Sequence, residues 1–340
     1  MGRHRLNDKI SFSKLHASAV IIDGCAPILR DCKHADLWIE GGATCALATV
    51  ALHDDNRSST LDTIGRLCRQ VHDRDDVVIA RQVDDIVEAK KVGRFAIVLA
   101  FQSGAALDRR LDMVELYYQL GVRSMNLAYN QAEAAADGCS EPRNGGLTLF
   151  GNQVIPEMNR VGMLLDLSHT GHRATMEAMD LSDAPVAFSH SNAKSIYDHP
   201  RNLADDQIRR CVERDGVIGL NGHPAFIKAG TAAPTLDDYL AHVDTMVDKA
   251  GIEHVGIGLD FSHPPGQQMP PARYEQLMAE GIFTPKTLPP PPWSYPIGDA
   301  RRLVDLTEAL VRRGWHEADL RKLFGENFLR VFRSVWKPEA

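Results

Sequence analysis

Residues 161–191, VGMLLDLSHTGHRATMEAMDLSDAPVAFSHS, decide the fold of this 340-residue chain. Two short apolar runs, at 163–167 and 184–188, are each followed by Ser-His. The segment between them is long enough for one helix, so the stretch predicts a strand–helix–strand unit with a right-handed crossover. Neighbouring strands of a parallel sheet lie about 4.8 Å apart. His169 and His190 should therefore converge at the same end of the sheet.

Eight apolar, β-rich runs occur along the chain, and nearly all are followed by a helical pattern. Such alternation predicts a parallel sheet, and eight units favour a closed (β/α)8 TIM barrel over residues 1–340 as a single domain. An open doubly wound sheet is the alternative, but no G-x-G-x-x-G follows the first strand. The predicted strands are 19–24, 43–52, 95–102, 122–129, 163–167, 184–188, 216–222 and 255–262. The other predicted helices are 57–72, 84–91, 106–120, 150–161, 203–215, 236–250, 298–313 and 317–335.

Residues 263–297 interrupt the alternation after the eighth strand. They contain the Pro-rich run LPPPPW at 288–293 and no obvious helix cap. A loop of this length is usually functional, as a lid or a contact between subunits. A surface excursion stiffened by polyproline is equally compatible with the composition.

Composition excludes several classes of partner. The formal net charge is −7 without a long run of one sign, which argues against nucleic acid and anionic membrane surfaces. The six cysteines are scattered without C-x-x-C, as in reduced proteins. The first 24 residues lack a signal-peptide stretch, and no segment reaches the roughly 18 apolar residues of a membrane span. We expect a cytoplasmic protein.

Polar residues gather at the carboxyl ends of the predicted strands, where (β/α)8 enzymes place their chemistry. Imidazole suits zinc, iron, nickel or copper, and two histidines on adjacent strand ends can share one ion. A lone strand-end histidine is more often structural, but His169 and His190 occupy matched positions. The pattern therefore favours a metal site, although no H-E-x-x-H motif is present.

Other strand-end residues have a functional and a structural interpretation. Asp260 can be a metal ligand or a general acid/base, or simply part of a salt bridge. Arg201 can bind a substrate carboxylate, or can pair with acids at the next helix start. Cys25 can offer a thiolate to a soft metal or fill a small buried space. His223 can reach the pocket or lie in the core, and Asp23 should orient neighbouring groups.

Six segments together resemble the membrane (renal) dipeptidase family, peptidase family M19, which are zinc-dependent (β/α)8 barrels of the amidohydrolase type. The similarity covers roughly residues 20–336. The segments are YQLGVRSMNLAYN (118–130), GLTLFGNQVIPEMNRVGMLLDLSHTG (146–171), APVAFSHSNA (184–193), HPRNLADD (199–206), HVGIGLDF (254–261) and GENFLRVF (325–332).

The resemblance implies roles for four of the candidate residues. The family has a dinuclear zinc site, and His169 and His190 match its second-zinc ligands. Arg201 matches the residue that binds the terminal carboxylate of the substrate. Asp260 matches the residue thought to shuttle the proton.

The first zinc site departs from the family pattern. The family's first strand ends in Asp-Gly-His-x-Asp, whereas this chain has Asp-Gly-Cys-Ala-Pro at 23–27. Gln102 replaces the bridging glutamate, and Tyr129 replaces a histidine. A His-x-Asp at 34–36 comes too late and is interpreted as a loop coincidence. We predict one divalent ion, most simply zinc, on His169 and His190, with Cys25, Gln102, Asp260 or His223 as further candidate ligands.

These features predict a dipeptidase-like hydrolase that cleaves an amide bond in a dipeptide or small modified amino acid. Asp260 and Tyr129 are the predicted catalytic residues, and Arg201, Asn130 and His223 the predicted substrate-binding residues. The alternatives are a metal-poor isomerase or lyase acting on a small carboxylated metabolite, and a non-catalytic binding barrel. The resemblance also implies a homodimer or higher homo-oligomer.

Overall fold

The predicted barrel is confirmed in the computed structural model, which describes residues 12–285 and 287–338. The described residues form nine parallel strands, of which eight close into the barrel through pairing of the second strand with the fourth, and helices surround them. The strands are β1 (Ile22–Ala26), β2 (Cys45–Ala51), β3 (Val77–Ile79), β4 (Phe95–Phe101), β5 (Val122–Asn126), β6 (Leu164–Asp166), β7 (Ala187–Phe188), β8 (Val217–Asn221) and β9 (Val255–Gly258). Around the barrel their order is β2-β1-β9-β8-β7-β6-β5-β4.

The helices follow the strands as the alternation predicts. They are α1 (Phe12–Ser18), α2 (Ala35–Glu40), α3 (Arg57–His72), α4 (Val83–Val92), α5 (Asp112–Gln119), α6 (Gly151–Val161), α7 (His172–Leu181), α8 (Asp205–Glu213), α9 (Leu236–Ala250), α10 (Pro271–Ala279), α11 (Leu303–Arg312), α12 (Glu317–Arg321) and α13 (Asn327–Val335). No helix within the described ranges is long and apolar enough to cross a membrane.

Four details differ from the sequence prediction. The three-residue strand β3, too short to show a periodicity, pairs with the start of β4. The helix predicted over 106–120 is broken, because Asp108 and Arg109 have φ of 51° and 56°. A π-helical turn, Lys322–Glu326, interrupts the helix predicted over 317–335. The His-x-Asp at 34–36 belongs to a helical segment rather than a loop, and its Asp36 pairs with Arg74 at the surface.

Three glycines make room for the chain where it leaves β7. A Cβ atom on Gly24, Gly219 or Gly258 would lie 2.5, 2.1 or 1.9 Å from the carbonyl oxygen of Ser189. Side chains at these positions of β1, β8 and β9 would therefore collide with the backbone of Ser189. Because glycine has no side chain, the backbone of Ser189 can approach three other strands, and this close approach fixes the position of the next residue, His190.

The segment 263–297 covers the carboxyl end of the barrel. It contains α10, which the absence of an obvious helix cap did not indicate; Pro271 begins that helix without needing a backbone donor. Its apolar side chains pack on Ala225 and Phe226, in the loop after β8. The packed members are Leu277, Ile282, Phe283, Leu288 and Trp293.

Candidate metal and active site

His169 and His190 converge as their positions predict. Both are buried, and their Nε2 atoms lie 2.8 Å apart. His169 has a left-handed backbone, with φ of 67°, which aims its ring across from β6 toward the end of β7. Burial, and secondarily the charge of Arg201, lowers the pKa of both imidazoles well below the usual value. Both rings are therefore neutral, as metal ligands must be.

The partners of the other ring nitrogens indicate which tautomer each histidine adopts. The amide oxygen of Asn130 accepts from Nδ1 of His169 at 2.8 Å. Nδ1 of His190 lies 2.7 Å from Oγ of Ser189, whose own hydroxyl donates to Asp166. Each Nδ1 thus carries the hydrogen, and the two Nε2 lone pairs face each other. This is the tautomer of metal-bound histidines held by outer partners, so these residues fit a divalent cation.

Asp260 lies next to the histidine pair. Its left-handed backbone, with φ of 56°, follows β9, and Asn221 donates to its carboxylate at 3.2 Å. Burial raises the pKa of this carboxyl to about 6, with the charge of Arg201 opposing the rise. A carboxyl group with this pKa can accept and return a proton near neutral pH.

Cys25 and Gln102, at the positions that the resemblance assigns to the family's first zinc site, contact each other. Nε2 of Gln102 donates to Sγ of Cys25 at 2.9 Å and to Oγ1 of Thr49 at 2.8 Å. Sγ of Cys25 lies 3.6 Å from the Asp260 carboxylate. Burial and the nearby acids raise the pKa of the Cys25 thiol well above its usual value. Without a cation beside it, the sulfur keeps its proton.

Asp23 holds the backbone around Cys25 and Asp260, as the sequence predicts for an outer residue. Its carboxylate accepts from the backbone amides of Cys25 and Leu259, at 3.2 and 2.7 Å, and from the indole of Trp38 at 3.0 Å. It therefore joins β1 to the end of β9.

Arg201 is a buried cation that is only 3% exposed. One Nη donates to the carbonyl oxygen of His190 at 3.1 Å, and Nε has no partner. Among the residues described, no carboxylate forms an ion pair with it. A cavity of about 200 Å³, polar in its lining, opens beside Arg201 and His169. This arrangement fits a ligand carboxylate, because a desolvated guanidinium gains most from an anionic partner.

Tyr129 lies between two imidazoles, with ring centroids 4.1 Å from His169 and 4.7 Å from His53. Burial raises the pKa of its phenol far above the usual value, so the phenol keeps its proton and its hydroxyl can donate a hydrogen bond. Asn130, predicted to bind substrate, uses its amide oxygen to hold His169, while its Nδ2 has no hydrogen-bond partner among the described residues. Neither nitrogen of His53 has a hydrogen-bond partner among the described residues.

His223 packs among aromatic rings of the segment that covers the barrel. Its ring centroid lies 5.0 Å from Phe226, 4.9 Å from Trp293 and 5.5 Å from Tyr295. Burial lowers its pKa to about 3, so it carries no charge at neutral pH. The hydroxyl of Tyr295 donates to the backbone oxygen of Asp260 at 3.0 Å, which ties this covering segment to the site.

Several residues with positioning contacts were not assigned a role from the sequence. Asp166 and Ser189 orient His190, and Asn221 orients Asp260. The sequence did contain signals for two of them. Asp166 is an acid inside the otherwise apolar strand of LLDLSH, and Ser189 directly precedes a histidine. Tyr295 had none, because it reaches the site from the covering segment, whereas His53 directly follows the predicted strand 43–52 and could have been found as a strand-end residue.

Comparisons with known proteins agree with this arrangement. Residues 9–282 and 294–339 match the membrane dipeptidase family, peptidase family M19. An uncharacterized dipeptidase of Schizosaccharomyces pombe is 37% identical over 230 residues, 66% of this chain and 49% of its own length. Dipeptidase verJ of Clonostachys rogersoniana is 31% identical over 279 residues, which are 81% of this chain and 64% of the length of verJ. This chain therefore spans about half to two thirds of the curated relatives it matches.

The fold agrees with a solved structure over nearly its full length. The crystal structure of an amidohydrolase from Pseudomonas aeruginosa superposes with a TM-score of 0.88 at 31% identity, covering 96% of this chain and 99% of that one. The sequence match, the barrel and the paired strand-end histidines agree with one another. This chain belongs to the membrane dipeptidase family, peptidase family M19.

Proposed function

We propose that this protein is a metal-dependent hydrolase that cleaves an amide bond in a dipeptide or a small modified amino acid with a free carboxylate. The observation that carries the proposal is the convergence of His169 and His190 beside Asp260, with Arg201 buried nearby and without an acidic partner. The two histidines can hold a cation beside Asp260, which can carry a proton. Arg201 can bind the carboxylate of the substrate.

His169 and His190 would hold one divalent ion, which we propose to be zinc. When bound, such an ion polarises the substrate carbonyl and makes water more acidic. The charge available supports one ion rather than two. A two-metal site needs a bridging anionic ligand, and Gln102 supplies a neutral amide that is already engaged with Cys25 and Thr49.

The roles of the remaining residues follow from their contacts. Asp260 takes a proton from the attacking water and gives it to the leaving amine, since burial raises its pKa to about 6. Arg201 binds the substrate carboxylate and thereby places the scissile bond. Tyr129, neutral and stacked on His169, can donate a hydrogen bond to the substrate. Trp293 and Tyr295, in the covering segment, limit the access of water.

Metal content and hydrolysis test the proposal together. Protein that is stripped with chelator and reloaded with zinc should hold one ion per chain and should hydrolyse members of a dipeptide panel. His190→Ala should lose both the ion and the activity, while the buried His242→Ala, on α9, should keep both. Binding of carboxylates without hydrolysis would instead favour a non-catalytic barrel, and turnover without an ion would favour the metal-poor isomerase or lyase.

Compartment and assembly belong to the same proposal. All six cysteines are free, and four of them are buried, which supports a reducing compartment such as the cytoplasm. We also propose a homodimer or higher homo-oligomer, which light scattering of the purified chain would test.

A further inference from the structure

We propose that Cys25 is a ligand of the ion, so that the centre is a His₂Cys site with the thiolate in place of the histidine lost from the first strand. The inference rests on the proposed ion at His169 and His190. It goes beyond the proposed function because it assigns a third ligand, its chemical type and the metals that the site prefers.

The ring nitrogens of His190 lie close to both other proposed ligands: Nε2 of His169 is 2.8 Å from Nε2 of His190, and Sγ of Cys25 is within 4.8 Å of a ring nitrogen of His190. Sγ of Cys25, a ring nitrogen of His190 and a carboxylate oxygen of Asp260 all lie within 4.8 Å of one another, and the three residues are buried. Ligand atoms on one tetrahedral zinc lie roughly 3.5 Å apart, given bonds of about 2.0 to 2.3 Å. A contraction of at most about 1.3 Å therefore brings the sulfur of Cys25 and the nitrogen of His190 onto one centre.

The neighbours of Cys25 favour sulfur as a ligand. Its backbone amide donates to Asp23 at 3.2 Å, and Asp23 is itself held by Leu259 and Trp38, so the backbone that carries the thiol is fixed. Gln102 presents an N–H to Sγ at 2.9 Å, which makes the sulfur an acceptor. This contact assigns Gln102 as a donor to the sulfur rather than as a ligand of the ion.

The charge and proton balance are simple. On binding, the thiol loses its proton to solvent, so one proton is released for each ion bound. The resulting thiolate and the Asp260 carboxylate together carry two negative charges, which match one dication and leave none for a second. Three protein ligands with one open position describe a catalytic rather than a structural site.

A sulfur ligand changes which metals the site prefers. Thiolate favours zinc, cadmium and cobalt over the hard cations magnesium and manganese, which prefer oxygen. We therefore expect that an excess of magnesium or manganese does not displace zinc, whereas cadmium does.

Cobalt(II) provides a direct test, because a cobalt–thiolate bond gives a near-ultraviolet charge-transfer band that nitrogen and oxygen ligands do not. The apoprotein should bind one cobalt ion and develop this band. Cys25→Ser should lose the band and bind cobalt at least ten-fold more weakly. Cys25→His should lose the band yet retain the ion, because it supplies nitrogen at the same place. Cys211→Ser, which alters an equally buried free cysteine on α8, should keep both.

The outcomes separate this inference from the proposed function. One cobalt ion bound to the native protein without the thiolate band would overturn the role of Cys25 and leave the ion on the histidines. A band that persists in Cys25→Ser would have the same meaning. Failure of the native apoprotein to bind cobalt would overturn both. The native spectrum decides even where a variant fails to fold.

Discussion

Nε2 of His169 lies 2.8 Å from Nε2 of His190, although each ring is already held through its Nδ1 by an acceptor. Two lone pairs at this distance repel each other unless a proton or a cation lies between them. The acceptors Asn130 and Ser189, with Asp166 behind Ser189, therefore prepare this pair for a positive charge.

Removing the hydroxyl of Ser189 tests whether the acceptors at Nδ1 prepare the histidine pair for a cation. In Ser189→Ala, Nδ1 of His190 loses its acceptor and the ring can adopt the other tautomer. We expect the affinity for zinc to fall roughly 10- to 100-fold, as is usual when an outer partner of a metal ligand is lost. Competition with a chelating dye measures the affinity. The control is Ser182→Ala, which removes a hydroxyl at the end of α7. Equal zinc affinities of the two variants would contradict the role of Ser189 in orienting His190.

Replacing Arg201 separates binding of the substrate carboxylate from the chemical step. Arg201→Gln keeps much of the side chain and removes the charge. For substrates with a free carboxylate, we expect kcat/KM to fall roughly 30- to 160-fold, which corresponds to about 2–3 kcal/mol of transition-state stabilisation, the value of a charged hydrogen bond. The same dipeptides with an amidated carboxyl end should react equally with both proteins. A similar loss on the amides would show that Arg201 acts on structure rather than on the carboxylate.

A single methyl group should disturb the barrel where β7 ends. In Gly258→Ala the new Cβ would lie 1.9 Å from the Ser189 carbonyl oxygen, which is backbone and cannot move aside alone. We expect a loss of about 3 kcal/mol in the free energy of unfolding, in the upper range for overpacking, together with weaker metal binding through displaced His190. Urea denaturation measures the first quantity.

Gly65→Ala is the matched control for this change. Gly65 lies on the exposed side of α3, and a Cβ there meets nothing within 4 Å. Alanine should stabilise that helix by up to about 1 kcal/mol. Equal destabilisation by both substitutions would contradict the close approach of Ser189 to the three glycines.

The apolar strands and the residues at their ends could be predicted from the sequence, because both depend on local pattern. Runs such as FAIVLAF at 95–101 are too apolar to be anything but buried, and eight such runs leave few topologies. His169, His190 and Asp260 follow because the carboxyl ends of parallel strands meet at one edge.

The orientation of these residues could not be predicted, because it depends on contacts between distant parts of the chain. Tyr295 reaches Asp260 from 35 positions along the chain, and His53, which follows β2, stacks on Tyr129, which follows β5. Asp108 and Arg109 interrupt a predicted helix because their backbones are left-handed, which could not be predicted from their side chains. The covering segment, rich in proline, has a helix because α10 packs its apolar side chains on the loop after β8.

Glu133 couples stability to pH near the site. It lies in the loop after β5, where its carboxylate accepts from Oγ of Ser103 at 2.7 Å and from the backbone amide of Tyr129 at 2.8 Å. Burial raises its pKa from 4.5 to about 7 and outweighs these hydrogen bonds, which favour the charged form. Between these two pH values, the folded protein therefore keeps a proton that the unfolded chain has released.

The sign of the effect follows from this difference. The contribution of Glu133 is fully present below its unfolded pKa, and it is lost as the pH rises through about 7. A shift of this size corresponds to up to about 3 kcal/mol. In Glu133→Gln the titration is absent, so the free energy of unfolding of the native protein relative to this variant should fall by about this amount between about pH 5 and about pH 8. Urea denaturation of both proteins across the range measures it, and a constant difference would mean that Glu133 is ionised throughout in the folded protein.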